Sequence, residues 1–164
     1  NLSKIFGELF MLIESDKRGN ALQLLDSDEK FYVPANVYII GMMNTADRSL
    51  AMLDYALRRR FAFFSILPGF QSGGFKKYKD ALNNSRFNSL IACIEELNDR
   101  IAEDVSLGEG FRIGHSYFCG ITSIKDKTLS NIVEYEIIPL LHEYWYDDPV
   151  KVRDWADRLR SSIK

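Results

Sequence analysis

The sequence predicts an α/β chain: part of a parallel-sheet core over residues 1–70, followed by a mostly helical subdomain over residues 71–164. Residues 37–43 and 61–67 are near-continuous apolar runs, closed on the outside by Pro34 and Pro68. Such runs fit strands covered on both faces, as in a parallel sheet. A helical pattern separates them, which gives the strand-helix-strand order of an α/β unit. The chain then changes character after the PGFQSGG stretch at 68–74, and helical periodicity dominates to the end.

Each element has its own signal. Leu2, Ile5, Phe6, Leu9, Phe10, Leu12 and Ile13 recur at three- and four-residue spacing and predict a helix over 2–14, with Asn1 or Ser3 as cap. Two short β-prone pieces around the polar turn at 26–30 predict a hairpin over 22–33. Ser49 caps a helix carrying Leu50, Leu53, Ala56 and Leu57 on one face. Further helices are predicted over 75–83, 87–104, 128–146 and 149–162, and Pro139 should kink the third. The segment 108–118, GEGFRIGHSYF, is too rich in glycine and aromatic residues for a plain linker.

A hydrophobic content of 46% with 27% charged residues is that of a soluble globular protein. With 21 Lys and Arg against 23 Asp and Glu, the net charge of −2 gives no electrostatic case for nonspecific nucleic-acid binding. Cys93 and Cys119 sit in no ligand-spaced pair, and His115 and His142 are the only histidines, so no metal site is expected. No apolar run reaches the ~18 residues of a membrane span, and no signal-peptide layout opens the chain, which makes a cytoplasmic protein the expectation. The start at Asn1, directly in a helical pattern, suggests a piece of a longer chain.

The chemistry concentrates between residues 44 and 60. Asn44 ends the first apolar run, where open parallel sheets collect ligands. Its amide can orient a water or contact a terminal phosphate without adding negative charge; it can equally turn the chain and cap the next helix. NTAD at 44–47 shares its Asn and Asp, but not the Lys, with the Asn-Lys-x-Asp guanine-reading motif of small GTPases; Asp47 is better explained as a helix cap, with Arg48 next to it. Arg58, Arg59 and Arg60 close the second helix. Arginines suit a last helical turn, but three in a row before an apolar run favour a phosphate-facing role for one or two of them. An arginine finger offered to a neighbouring subunit's γ-phosphate is worth ~10³–10⁵ in rate. Arg112 and His115 lie in the glycine-rich loop, where a flexible segment could touch a nucleotide; a lone His is more often structural. The G-x-x-x-x-G-K-[ST] phosphate loop is absent, as is an apolar strand ending in Asp-Glu for Mg2+. The isolated chain is therefore expected to bind no nucleotide and to be inactive.

FYVPANVYIIGMMNTADRSLAMLDYALRRRFAF and GEGFRIGHSYF resemble the AAA+ GTPase domain of the McrB family, the motor subunits of modified-cytosine-dependent restriction systems. The resemblance extends over essentially the whole chain. It implies the C-terminal half of an AAA+ αβα core with a pre-sensor hairpin at 22–33, followed by a helical lid. It implies that Asn44 is the first-sensor residue, that Asp47 and Arg48 complete MNTADRS near the subunit interface, that Arg59 and Arg60 supply the trans-acting finger and its neighbour, and that Arg112 is the lid-side contact. It further implies a ring, typically hexameric, an McrC-like endonuclease partner, DNA read by a separate domain, and GTP with Mg2+ in the intact protein. The residues themselves leave ATP equally open. Two other readings are an AAA+ ATPase with another client and a helical interaction module with no nucleotide role. An open-edged half sheet is also expected to make the isolated chain self-associate.

Overall fold

The computed structural model describes residues 7, 9–24, 28–44, 46, 59–125 and 127–164. The chain forms two compact units, Asn1–Ser65 and Ile66–Lys164.

In the first unit, helix α1 (Leu9–Leu12) and a 3-10 turn (Ser15–Lys17) lead into a hairpin of β1 (Leu22–Gln23) and β2 (Lys30–Phe31). The strands are antiparallel, with Leu22 opposite Phe31 and Gln23 opposite Lys30. Leu24 N–H donates to Glu29 O at 3.1 Å, and Gly19 N–H closes the base of the hairpin on Val33 O at 2.9 Å. Arg18 braces this arrangement: its Nε donates to Ile13 O at 3.2 Å and its Nη1 to Val37 O at 3.3 Å. Among the described residues of this unit, Phe10, Leu12 and Val33 are the buried apolar side chains. The hairpin expected from the sequence is present.

The two expected buried strands are not, and this corrects the sequence reading. Residues 37–43 and 62–68 enter no ladder, and among the described residues the sheet has two antiparallel strands only. Exposure still alternates along the first run: Tyr38, Ile40 and Met42 are 90–95% exposed, whereas Val37, Ile39 and Met43 are 41–43% exposed. That period of two is the mark of a strand. The physical reason is that a strand's hydrogen bonds lie between strands, so an extended run is buried only when neighbours and covering helices lie against it. The described residues place none there. The helix expected from Ser49 to Leu57 lies outside the described residues.

The second unit is helical: α2 (Gly73–Leu82), α3 (Ser85–Glu103), α4 (Thr128–Ile132), α5 (Ile138–Tyr144) and α6 (Pro149–Ser162). Side chains cap three of them. Ser72 Oγ accepts from Phe75 N–H at 3.2 Å, Asn84 Oδ1 from Phe87 N–H at 3.0 Å, and Asp148 Oδ1 from Lys151 N–H at 3.0 Å. Each satisfies a backbone donor that the helix cannot. Phe87, Leu90, Ile91, Ile94, Leu97 and Ile101 form one buried stripe along α3, matched by Val152, Trp155, Ala156 and Leu159 of α6. Fully burying such a side chain stabilises by about 1.5–3 kcal/mol.

Between α4 and α5 the helix passes through a π segment, Val133–Ile137, in which Ile138 N–H reaches Val133 O five residues back. Pro139 follows one residue after the segment. It has no N–H to give, and its ring would crowd the carbonyl four residues back in a regular α-helix. The widened turn relieves that conflict while keeping Ile132, Val133, Ile137, Ile138 and Leu141 in the core.

Candidate functional site

In the first unit, Asn44 is exposed, and its Oδ1 accepts from Ala46 N–H at 3.1 Å. This side chain therefore turns the chain locally, one of the two uses its position allows. Arg59 and Arg60 form a turn ahead of the second extended run. Arg59 is exposed, whereas Arg60 pairs with Glu14 at the end of the α1 region, its side chain 19% exposed. Two consecutive arginines thus differ in exposure, Arg59 lying at the surface and Arg60 being partly buried against Glu14. Asp47, Arg48 and Arg58 lie outside the described residues.

In the second unit, segment 108–118 is built of two 3-10 turns, Glu109–Phe111 and His115–Phe118, with Arg112, Ile113 and Gly114 between them. Gly108 opens it at φ 88°, a left-handed conformation that a side chain would strain. Arg112 is held on both edges by carboxylates. Its Nη2 donates to Glu109 Oε1 at 3.1 Å, its Nε stands 2.8 Å from Glu109 Oε2, and its Nη1 donates to Asp99 Oδ1 at 3.2 Å. Glu109 first, and Asp99 after it, push the guanidinium pKa upward. An anionic ligand at Arg112 has to compete with these two acids.

The segment is not a flexible loop. Asn98, only 2% exposed on α3, donates from Nδ2 to Ile113 O at 2.9 Å and accepts from Ile113 N–H at 2.6 Å. His115 Nδ1 accepts from Gly69 N–H at 3.0 Å, so that nitrogen carries no proton. The ring stands edge-on to Phe75, with centroids 5.8 Å apart, and to Phe70 at 6.1 Å. A Cβ on Gly69 would come within 3.0 Å of the imidazole Cε1, so this approach requires glycine. The Tyr78 hydroxyl lies 3.1 Å from Phe118 O and 3.0 Å from Ile121 O, and accepts from Ile121 N–H at 2.9 Å. His115 thus has a packing and hydrogen-bonding role in the structure.

Asn98 and Gly69 were missed in the sequence. Asn98 had a signal: it is the one polar residue among those α3 buries. Gly69 had none, because the sequence pairs it with no histidine 46 residues away.

The first unit carries exposed Asn44 and Arg59, and the helical unit carries the pinned Arg112 segment; both spans match known family models. Residues 1–61 match the AAA domain of the dynein-related subfamily, and residues 89–153 match the alpha-helical lid domain of McrB. The chain is 51% identical over 171 residues to the type IV methyl-directed restriction enzyme EcoKMcrB subunit of Escherichia coli K12, an overlap of 97% of this chain and 37% of that protein. It is 30% identical over 77 residues to the type II restriction enzyme BsuMI component YdiS of Bacillus subtilis 168, covering 38% of this chain and 22% of that one. The chain therefore belongs to the McrB family, and it spans about a third or less of the length of these curated relatives.

Proposed function

We propose that this chain is part of a GTP-hydrolysing AAA+ motor that drives DNA restriction as a ring oligomer in the cytoplasm. Its nuclease partner is an McrC-like endonuclease, and DNA is read by a separate domain. One observation carries the reading: MNTADRS and the arginine triplet fall in the AAA-matching span, while Arg112 falls in the McrB-lid span.

The side chains present fit the phosphate end of a nucleotide, with a neutral amide at Asn44 and guanidinium groups at Arg59 and Arg112. Among the described residues no group of three or more His, Cys, Asp or Glu stands together. When bound, Mg2+ screens phosphate charge, and its ligands belong to other parts of the whole protein. Asn44 orients the attacking water without adding negative charge beside the γ-phosphate. Arg59, the more exposed of the two arginines, is the finger offered to a neighbouring copy. Arg60 anchors the turn that presents it. Asp47 and Arg48 lie near the subunit interface, Arg58 assists nucleotide binding, and Arg112 contacts the phosphates from the lid side.

The test is phosphate release by the full-length protein with GTP and with ATP, for wild type, Arg59→Ala and Arg60→Ala. GTP-selective turnover that falls ~10³–10⁵-fold in Arg59→Ala, and much less in Arg60→Ala, is the expected result. Equal losses in both variants overturn the division of labour between the two arginines. ATP-selective turnover moves the chain to another AAA+ branch. No turnover with either nucleotide, even with a nuclease partner added, leaves a helical interaction module.

A further inference from the structure

We propose that Asn98 and His115 are positioning residues that hold Arg112 preset for an anionic ligand, so that segment 108–118 is a rigid contact surface. The inference rests on the reading of Arg112 as a phosphate contact.

The geometry is a double grip. Consecutive residues of α3 hold consecutive residues of the segment: Asn98 takes both backbone groups of Ile113, and Asp99 takes the guanidinium of Arg112. Burying an amide side chain is unfavourable unless it is hydrogen-bonded, and here both ends of the Asn98 amide meet the residue adjoining Arg112. Three residues past Arg112, the His115 ring fixes the chain again by accepting from Gly69 N–H, wedged edge-on between Phe70 and Phe75. Arg112 is thus bounded by the Asn98 pin beyond it and the Glu109–Phe111 turn before it. An exposed ion pair such as Arg112 with Asp99 contributes little by itself and does not call for a buried scaffold. A scaffold of this kind lowers the ordering cost of binding, because the arginine's backbone is already fixed when the ligand arrives.

The proposal is tested in the full-length protein by steady-state GTP hydrolysis of Arg112→Ala, His115→Phe, His115→Asn and Asn98→Leu, and of each of the last three combined with Arg112→Ala. His115→Phe keeps an aromatic ring and removes the acceptor; His115→Asn places an amide oxygen where Nδ1 stood. We expect His115→Phe and Asn98→Leu to lower kcat/KM roughly ten- to hundredfold, mainly through KM, and His115→Asn to recover most of it. In the Arg112→Ala background neither should lower it further, because residues that act through Arg112 have nothing left to position. The same fold loss in both backgrounds shows a merely structural role and overturns the proposal. So does an unchanged His115→Phe enzyme beside an impaired Arg112→Ala. If Arg112→Ala itself has no effect, the underlying reading of Arg112 fails instead. Amide hydrogen exchange gives a readout apart from turnover: Gly69 N–H should lose protection in His115→Phe and regain it in His115→Asn. Unchanged protection removes the latch. Should Asn98→Leu not fold, the histidine pair and the exchange measurement decide the matter.

Discussion

At the scale of single residues, Asp104 gathers four hydrogen bonds within the helical unit. It accepts from Lys151 Nζ at 2.6 Å, Ser106 Oγ at 2.6 Å, Trp145 Nε1 at 2.8 Å and Ser106 N–H at 2.9 Å. The Lys151 ammonium also sits 4.2 Å from the Trp145 ring centroid. Lys151 foremost, then the Ser106 hydroxyl, hold the Asp104 carboxyl well below the usual carboxylate range, outweighing burial. A carboxylate whose pKa falls on folding stabilises the fold above its unfolded value, about 3.9, and loses that contribution as pH falls toward the folded value. Asp104→Asn is therefore expected to cost about 1.5–3 kcal/mol at pH 7, with the gap to wild type narrowing below about pH 4. Urea unfolding followed by tryptophan fluorescence checks this directly, because Trp145 and Trp155, the only tryptophans, both lie in the helical unit. A gap that stays constant down to pH 2.5 would contradict the assignment.

At the scale of elements, helices and extended segments differ in how much of their environment they carry with them. The stripe at 87, 90, 91, 94, 97 and 101 could be read directly, since a helix closes its own hydrogen bonds and exposes its apolar face as a sequence period. The helices of the second unit accordingly fall within about two residues of their predicted bounds. Phe87, fully buried at the start of α3, should lose about 3–5 kcal/mol when changed to Ala, whereas Val105, fully exposed, should change by under about 0.5 kcal/mol. Comparable unfolding midpoints for the two variants would show that the α3 stripe is not the centre of the core. Residues 37–43 carry only half of a strand's requirements: their composition and period are in the sequence, but their partners are not. The candidate site divides the same way. Asn44 and the arginines stood out by residue type and position, whereas the Asn98–Ile113 and His115–Gly69 bonds join points 15 and 46 residues apart that no local pattern connects. The π segment was half legible, since Pro139 announced a disturbance without specifying that a widened turn would absorb it.

At the scale of the whole molecule, the helices bury their apolar stripes while the runs at 37–43 and 62–67, the second of which crosses the boundary between the two units, leave apolar side chains exposed. Tyr38, Ile40 and Met42 are 90–95% exposed, and Phe64 and Ile66 are 89% and 86% exposed. These runs enter no ladder among the described residues, so most of their N–H and C=O groups are open to the kind of pairing that soluble proteins usually prevent. Alternation makes each run one-sided: 38, 40 and 42 share one face, and 64 and 66 share another. A charged side chain on the outward face obstructs sheet-to-sheet stacking without disturbing the inward residues. The 164-residue chain on its own is therefore expected to self-associate and to bind an apolar dye, and Ile40→Lys combined with Ile66→Lys to suppress both. Sedimentation velocity across a concentration series, run beside dye fluorescence, measures the two together. A monodisperse, dye-negative wild-type chain would mean that other parts of the molecule cover these runs, and a double variant that still associates would place the contact outside them.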